Sequence, residues 1–326
     1  MRTREMAGTG LFPTVICMGT AELGGSVCRE ESFGLLDLYL ELGGNFLDTA
    51  NVYADWLGGE KSTSEKTLGR WMRERGNRDK LVLATKGGHP FFDSIDTPRL
   101  SPQEIVFDLE QSLTHLQTDY VDLYWLHRDD LNRPVGEIME TLNELKKSGE
   151  IRAFGCSNWN LGRIDEARRY AAEHGLEAFS ANQPLWNLAV PNIDAIGDPT
   201  LVIMDDDLRH FHEANGLTAV PFSSQANGFF GGRYTRNGEP DGQGSSGTVA
   251  TQYFNQASFD RLDRVNRLAA ETGASGNQIA LAYLLAQPFP VFPIIGGTKL
   301  NHLRDSCGAA DVRLTPAQAV WLESGE

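Results

Sequence analysis

The sequence predicts a (β/α)8 barrel, and three observations carry that expectation. Short apolar runs rich in β-formers alternate with longer segments of helical period along the chain. The eight runs fall at 15–20, 45–49, 81–86, 121–127, 151–157, 179–183, 218–223 and 291–296. Polar residues suited to chemistry close several of these runs, at the end where a barrel builds its active site. An open doubly wound sheet is the competing architecture. It usually carries G-x-G-x-x-G after its first strand. Here the first run leads into Gly19-Thr20-Ala21-Glu22-Leu23-Gly24-Gly25, which does not match.

The helical segments have local reasons to form. Helices are expected over 31–42 and 65–75, between the first three runs. Ser101-Pro102-Gln103-Glu104 is a capping box with proline at the first helical position. Ile105, Leu109, Leu113 and Leu116 then make one apolar face. Pro134 opens the next helix, with Val135, Ile138, Leu142 and Leu145 as its stripe and Gly149 as its stop. Leu161, Ile164, Ala167, Tyr170 and Ala171 make another, ended by Gly175. Segments 204–215 and 300–310 fill further helical slots. Two more, 258–272 and 277–286, fall between the seventh and eighth runs, so one is extra to a simple alternation. Segments 188–200 and 228–246 break the rhythm, the second through Gly and Ser. Long loops of this kind are usually functional or disordered, and in a barrel both would rise from the catalytic face. No linker divides the chain, so residues 1–326 are expected to form a single barrel domain.

Composition narrows the function classes. Hydrophobic residues are 40% and charged residues 22%, which is ordinary for a globular protein and argues against disorder. Lys and Arg number 29 and Asp and Glu 44, a net charge of −15. That balance excludes a general nucleic-acid or anionic-membrane binder, but leaves room for one basic pocket. No apolar stretch approaches the roughly 20 residues of a membrane span. The first ten residues carry charge with no apolar core behind it, unlike a secretory signal. Cys17, Cys28, Cys156 and Cys307 are scattered without a C-x-x-C pair, which fits free thiols in a reducing cytoplasm.

Asp48 closes the second run, Lys86 the third and His127 the fourth. The fifth ends in Ser157-Asn158, the sixth in Gln183, and Tyr53 lies in the loop after Asp48. Each has an ordinary explanation on its own. Asp48 suits a helix cap, Lys86 a solvated strand end, His127 a hydrogen-bonded core histidine and Tyr53 simple packing. The weight comes from three such residues closing three strands at one end.

The spaced set resembles the aldo-keto reductase superfamily. The matching pieces are 45–53 (Asn-Phe-Leu-Asp-Thr-Ala-Asn-Val-Tyr), Thr85-Lys86-Gly87, 120–127, Gly155-Cys156-Ser157-Asn158-Trp159, Asn182-Gln183 and the later Pro-Ile-Ile-Gly-Gly. They run in family order over nearly the whole chain. The resemblance implies a (β/α)8 barrel and NAD(P)H-dependent carbonyl reduction without a metal. It implies Tyr53 as the general acid. A free phenol has a pKa of about 10, and the Lys86 ammonium would lower it. Asp48 would hold Lys86 charged and aimed. His127 would donate to the carbonyl oxygen and orient it.

The same resemblance sets Gly19, Thr20, Ala21 and Asp48 against the cofactor. Ser157, Asn158 and Gln183 would hold the nicotinamide carboxamide. Phe222 would stack on the ring, with Ser223 beside it. Gly228 and Gly232-Arg233-Tyr234 resemble the loop across the pyrophosphate. Gly296-Gly297-Thr298-Lys299 precedes a helix whose amides could receive phosphate. His302, Asp305 and Ser306 fall where the family often has Gln or Arg, an acid, and Asn facing adenine, so His302 and Ser306 are departures. Lys299 favours NADP(H) over NAD(H).

Trp56, His89, Trp125, His127 and Trp186 are the expected substrate contacts, with Phe91 and Phe92 nearby. An aromatic rim suits a sugar ring or a flat carbonyl compound. His89 and Asp93 could bind hydroxyls, which favours a keto-sugar or sugar aldehyde over simple aldehydes. Two other functions compete with reduction. A nucleotide-binding regulatory subunit on the same barrel would turn over little, and the intact set Asp48, Tyr53, Lys86 and His127 speaks against it. A metal-dependent hydrolase would need clustered ligands at strand ends. Of the chain's 7 histidines, His89, His115, His174, His210, His212 and His302 do not follow strands as a ligand set, and His210 and His212 cannot share one helix face.

Overall fold

The computed structural model describes residues 1–236 and 245–326. Its strands are β1 (Cys17–Gly19), β2 (Phe46–Asp48), β3 (Val82–Gly87), β4 (Val121–Leu126), β5 (Ile151–Ser157), β6 (Ala181–Gln183), β7 (Thr218–Ala219) and β8 (Ile294–Ile295). All pair in parallel, in the order β7-β6-β5-β4-β3-β2-β1-β8. The two ends of that order also meet. Ala219 bridges Val291 in parallel, and Phe292 N donates to Ala219 O at 2.9 Å. The sheet therefore closes on itself as the expected barrel, and the open doubly wound alternative is excluded.

The helices are α1 (Arg29–Glu41), α2 (Thr63–Arg75), α3 (Pro102–Leu116), α4 (Val135–Ser148), α5 (Leu161–His174), α6 (Asp206–Asn215), α7 (Ser245–Tyr253), α8 (Gln256–Thr272), α9 (Gly276–Leu285), α10 (Leu300–Gly308) and α11 (Pro316–Ser324). The capping box at Ser101 and Glu104 forms as the sequence predicts. Pro134 precedes α4 rather than opening it. Helix α7 begins inside the segment 228–246 expected as loop, and residues 237–244 of that segment lie outside the described ones. Helix α11 was not expected. Its own signal was present, since Thr315 and Gln318 form a capping box with Pro316 at the first turn.

Period-two alternation divides the strand side chains between two cores. Phe46, Val82, Ala84, Leu123, Ala153 and Ala181 face inward and fill the barrel, with Met6 and Leu11 from the N-terminal segment. Leu47, Leu83, Tyr124, Leu126, Phe154 and Cys156 face outward against the helices. Met6 and Leu11 arrive on a short antiparallel turn, with bridges Met6–Leu11 and Thr3–Thr14.

Two expected substrate residues belong to these cores instead. Trp125 faces inward and is fully buried, lying against Gly155, where any Cβ would run into its indole. Trp186 lies in the outer core, its ring stacked on Phe289 at 6.0 Å and edge-on to Tyr283. Both aromatics are packing, because hydrophobicity alone does not reveal which layer a ring will fill.

Candidate active site

The same alternation builds the site. Asp48 lies two positions past inward-facing Phe46, Lys86 past Ala84 and His127 past Trp125. Gln183 lies two past Ala181, and Phe222 two past Val220. These residues form one layer directly above the apolar interior. Tyr53 joins them from the turn after β2, where Ala54 holds a left-handed φ of 71°.

Lys86 is the hub. Its Nζ donates to Asp48 Oδ2 at 2.5 Å, to Thr49 O at 2.8 Å and to Tyr53 Oη at 2.7 Å. Gln183 Nε2 donates to the other Asp48 oxygen at 3.0 Å. Lys86 and Asp48 are both buried. Burial works against the ammonium, but Asp48 and then Tyr53 outweigh it, and the Lys86 pKa is raised. Lys86 therefore stays charged.

The phenol departs from the expected direction. Burial pushes the Tyr53 pKa up and outweighs the lowering by Lys86, so the net shift is upward. Tyr53 is held as a protonated phenol that accepts from an ammonium.

His127 is buried beside Tyr53, the two ring centroids 6.0 Å apart. Burial, Arg128 and His89 drive its pKa well below the ordinary histidine value, so the ring is neutral. Its Nδ1 is buried without a hydrogen-bond partner. Contacts then run Tyr53–Trp56 at 6.1 Å, Trp56–Phe92 at 6.5 Å, Phe92–His89 at 5.4 Å and His89–His127 at 4.8 Å. Together they close a ring of aromatic side chains around the phenol. Trp56 and Phe92 are about half exposed, so the ring opens to solvent on one side.

The remaining candidates divide. Ser157 Oγ donates to Gln183 O at 2.9 Å, and Asn158 Nδ2 donates to Ser157 Oγ at 3.1 Å. Asn158 has a left-handed φ of 60°, and Ser223, Ala226 and Asn227 share that region at 51°, 48° and 52°. Such non-glycine conformations cost about 1–3 kcal/mol each and concentrate at functional sites. Here they shape the loops after β5 and β7. Gly228, also with positive φ, follows them. Gly19 approaches β8 so closely that a Cβ would lie 2.8 Å from Ile294 Cγ2. Ala21 is partly exposed after it. Thr20 is fully buried, its hydroxyl bound to Asp48 O and Ser64, so its side chain is not at the mouth.

At the last unit, Gly296, Thr298, Lys299 and His302 are exposed around the start of α10. Lys299 is the N-cap residue and makes no side-chain capping bond. The first amides of a helix have no internal partner, so this start is open to an anion. Arg233 is also exposed. Ser306 is buried instead, its hydroxyl bonded to Gln225 Nε2 and Asn277 Nδ2, against the expectation that it faces an adenine.

Two residues escaped the sequence reading. Arg128 donates to His127 O, Thr200 Oγ1 and Asp198 Oδ2, tying the loop after β4 to the long segment after β6. Its position next to His127 was the available signal. Gln225 accepts from Gly296 N at 2.9 Å and donates to Asn277 and Ser306, joining the loops after β7 and β8. These are contacts between distant segments, and no local pattern encodes them. Among the described residues, no group of three or more His, Cys, Asp or Glu is placed to hold a metal ion, and no helix is long and apolar enough to cross a membrane.

A closed barrel with this polar layer at the strand ends defines a class of protein, and comparison with known proteins agrees on it. The family model described as Aldo/keto reductase family matches residues 15–324. Norsolorinic acid reductase B of Dothistroma septosporum is 29% identical over 99% of this chain and 81% of its own length. Aryl-alcohol dehydrogenase [NADP(+)] of Phanerodontia chrysosporium is 30% identical, over 98% of this chain and 85% of its own. A thermostable aldo-keto reductase, solved with the inhibitor epalrestat, shares the fold with a TM-score of 0.74 at 24% identity, covering 99% of both chains. The chain belongs to the aldo/keto reductase family. It is an oxidoreductase that interconverts carbonyl and CH–OH groups with a nicotinamide dinucleotide.

Proposed function

We propose that this enzyme reduces an aldehyde or ketone carried on a flat unsaturated ring, with NADPH preferred and Tyr53 as the proton donor. The observation that carries the reading is the buried Lys86 ammonium bound to both Asp48 Oδ2 and Tyr53 Oη. The bound dinucleotide would supply the hydride that reaches the carbonyl carbon. The protein's own residues supply the rest. Burial keeps Tyr53 protonated, so a proton is available at Oη. As negative charge grows on the carbonyl oxygen, Tyr53 gives up that proton, and Lys86 stabilises the phenolate left behind. Asp48 keeps Lys86 charged, and Gln183 fixes Asp48. Neutral His127 can donate one ring N–H to the carbonyl oxygen and orient it.

The residues fit such a cofactor. Ser157, Asn158 and Gln183 present hydroxyl and amide groups at the strand ends, suited to a carboxamide. Phe222 is the aromatic face beside them, with Ser223 on the strained turn that follows. The open start of α10, with Thr298, Lys299 and His302, suits a phosphate, and Arg233 adds a second cation. Lys299 supports the phosphorylated form of the dinucleotide, as does the NADP(+) in the name of the relative from Phanerodontia chrysosporium.

The aromatic ring of Tyr53, Trp56, Phe92, His89 and His127 offers faces and edges rather than an array of hydroxyl partners. With Trp186 and Trp125 buried elsewhere, this favours an aryl carbonyl over the keto-sugar expected from the sequence. The aryl-alcohol dehydrogenase among the relatives supports the same choice. The test is a panel of aryl aldehydes, aryl ketones, keto-sugars and short aliphatic aldehydes, followed at the nicotinamide absorbance with NADPH and NADH. Highest kcat/KM on keto-sugars would overturn the substrate reading. No turnover on any member would overturn the reductase chemistry.

A further inference from the structure

The loop between β3 and α3 supplies two members of the aromatic ring, His89 and Phe92. It is held from behind by a buried ion pair. Arg99 and Asp108 are each under a tenth exposed. Arg99 Nη2 donates to Asp108 Oδ1 at 2.8 Å, and Nη1 donates to Oδ2 at 3.1 Å. Both groups also bond the loop's backbone, while Arg99 Nε faces Glu104 Oε1 at 3.6 Å. Asp108 Oδ2 accepts from Gly88 N at 2.8 Å, and Arg99 Nη1 donates to His89 O at 3.2 Å. The Arg99 guanidinium also lies 4.1 Å over the Phe91 ring.

These contacts sit where the strand turns into the loop. Gly88 takes a φ of 72° there, and a Cβ would run into Leu100. The backbone at Gly88 is thus free to reverse, and Asp108 and Arg99 select one arrangement. That arrangement places the His89 ring 4.8 Å from His127 and the Phe92 ring against Trp56.

A buried ion pair is weak evidence for stability, since apolar residues of similar size often replace one at no loss. Its specific content is directional. Two fixed forks set the path of residues 88 and 89.

We propose that Arg99 and Asp108 are positioning residues for substrate specificity. They act through the loop they hold, by presenting His89 and Phe92 to the ring of the carbonyl compound. This rests on the aryl-carbonyl reading of the same site. Neither residue touches the Lys86–Tyr53 pair, so the proton chemistry and cofactor affinity should be separable from their effect.

The test uses the full chain, with an aryl aldehyde and a short aliphatic aldehyde as paired probes. Arg99→Met is expected to raise KM for the aryl aldehyde about tenfold, the order that loop-ordering costs set. KM for the aliphatic aldehyde and the cofactor Kd should stay within about twofold, an effect too small to signal a lost contact. Arg99→Lys should recover part of the loss, since it keeps the charge but not the bidentate fork. The double variant Arg99→Met/Asp108→Leu guards against misfolding, because it leaves no unpaired buried charge. It should still unfold cooperatively, with a melting temperature lowered only by the loss of the Gly88 N and His89 O bonds, and still show the raised aryl KM. Phe92→Ala on the Arg99→Met background should add little, since both act on one wall. A stable double variant with wild-type aryl KM would overturn the proposal while leaving the reductase reading intact. Equal loss for both aldehydes would overturn it too. Failure of the wild type to reduce either aldehyde would instead overturn the functional reading beneath it.

Discussion

Lys86 Nζ stands 2.7 Å from Tyr53 Oη, inside a site where burial, joined by the Asp48 charge, raises the phenol pKa. The ammonium opposes that rise, and burial is the larger effect. A phenol lowered below its ordinary value would lose its proton more readily before any substrate arrives. Here the resting state keeps the proton, and the ammonium is in place for the charge that appears on transfer.

Tyr53→Phe removes the acidic proton and keeps the ring. General acid–base groups contribute about 10²–10⁴-fold, so carbonyl reduction should slow by that order. Cofactor affinity, read by fluorescence, should survive. Adding Lys86→Met should cost little more, because groups acting as a unit are not additive. Near-normal turnover in Tyr53→Phe would mean that another group donates the proton.

Lys86→Met has a second consequence, in stability. It leaves the fully buried Asp48 carboxylate with Gln183 but without its cation. Breaking a buried pair from one side costs about 3–5 kcal/mol. Urea unfolding should show a loss of that size. Lys86→Met/Asp48→Asn should recover most of it without recovering activity. A single variant as stable as wild type would mean that the Lys86–Asp48 pair contributes nothing to stability.

How much of this could be read from the chain alone differs by residue. Asp48, Lys86 and His127 were legible because each closes an apolar run, and a closed barrel turns strand ends into neighbours. Trp125 was misread although the same rule covers it. It lies two positions before His127, on the same inward face but one layer deeper. Trp186 follows Pro184 beyond the end of β6, where alternation no longer applies. Arg99 and Asp108, Arg128 and Asp198, and Gln225 and Gly296 meet through tertiary contacts that no period encodes. Helix α11 was legible in its capping box.

Lys299 is expected to read the 2′-phosphate. It is exposed at the uncapped start of α10. Lys299→Ala should weaken NADPH about tenfold or more, the order of one charge-assisted hydrogen bond, and leave NADH nearly unchanged. Fluorescence titration of both cofactors decides it. Equal loss for both would assign Lys299 to another part of the nucleotide.

The acid limb of stability should report on a histidine outside the site. His212 is fully buried, with Nδ1 2.9 Å from Leu217 O and Nε2 3.1 Å from Asn182 Nδ2. These partners suit the neutral ring, Nδ1 donating and Nε2 accepting. Burial lowers the His212 pKa from 6.5 to about 4. The unfolded chain binds the proton first as pH falls, so the unfolded state gains relative to the folded one. The contribution is fully present above pH 6.5 and is lost as pH falls towards about 4. A shift of that size corresponds to about 3 kcal/mol at 1.36 kcal/mol per unit. His127 and His89, both lowered, act in the same direction. His212→Gln removes one titrating group while leaving the others. Stability from urea unfolding, measured stepwise from pH 7.5 to 4, should fall less steeply in the variant than in wild type, whatever the offset between them at neutral pH. Parallel profiles would mean that His212 takes up its proton at the same pH in the folded and unfolded states, and that its burial has no hold on its charge.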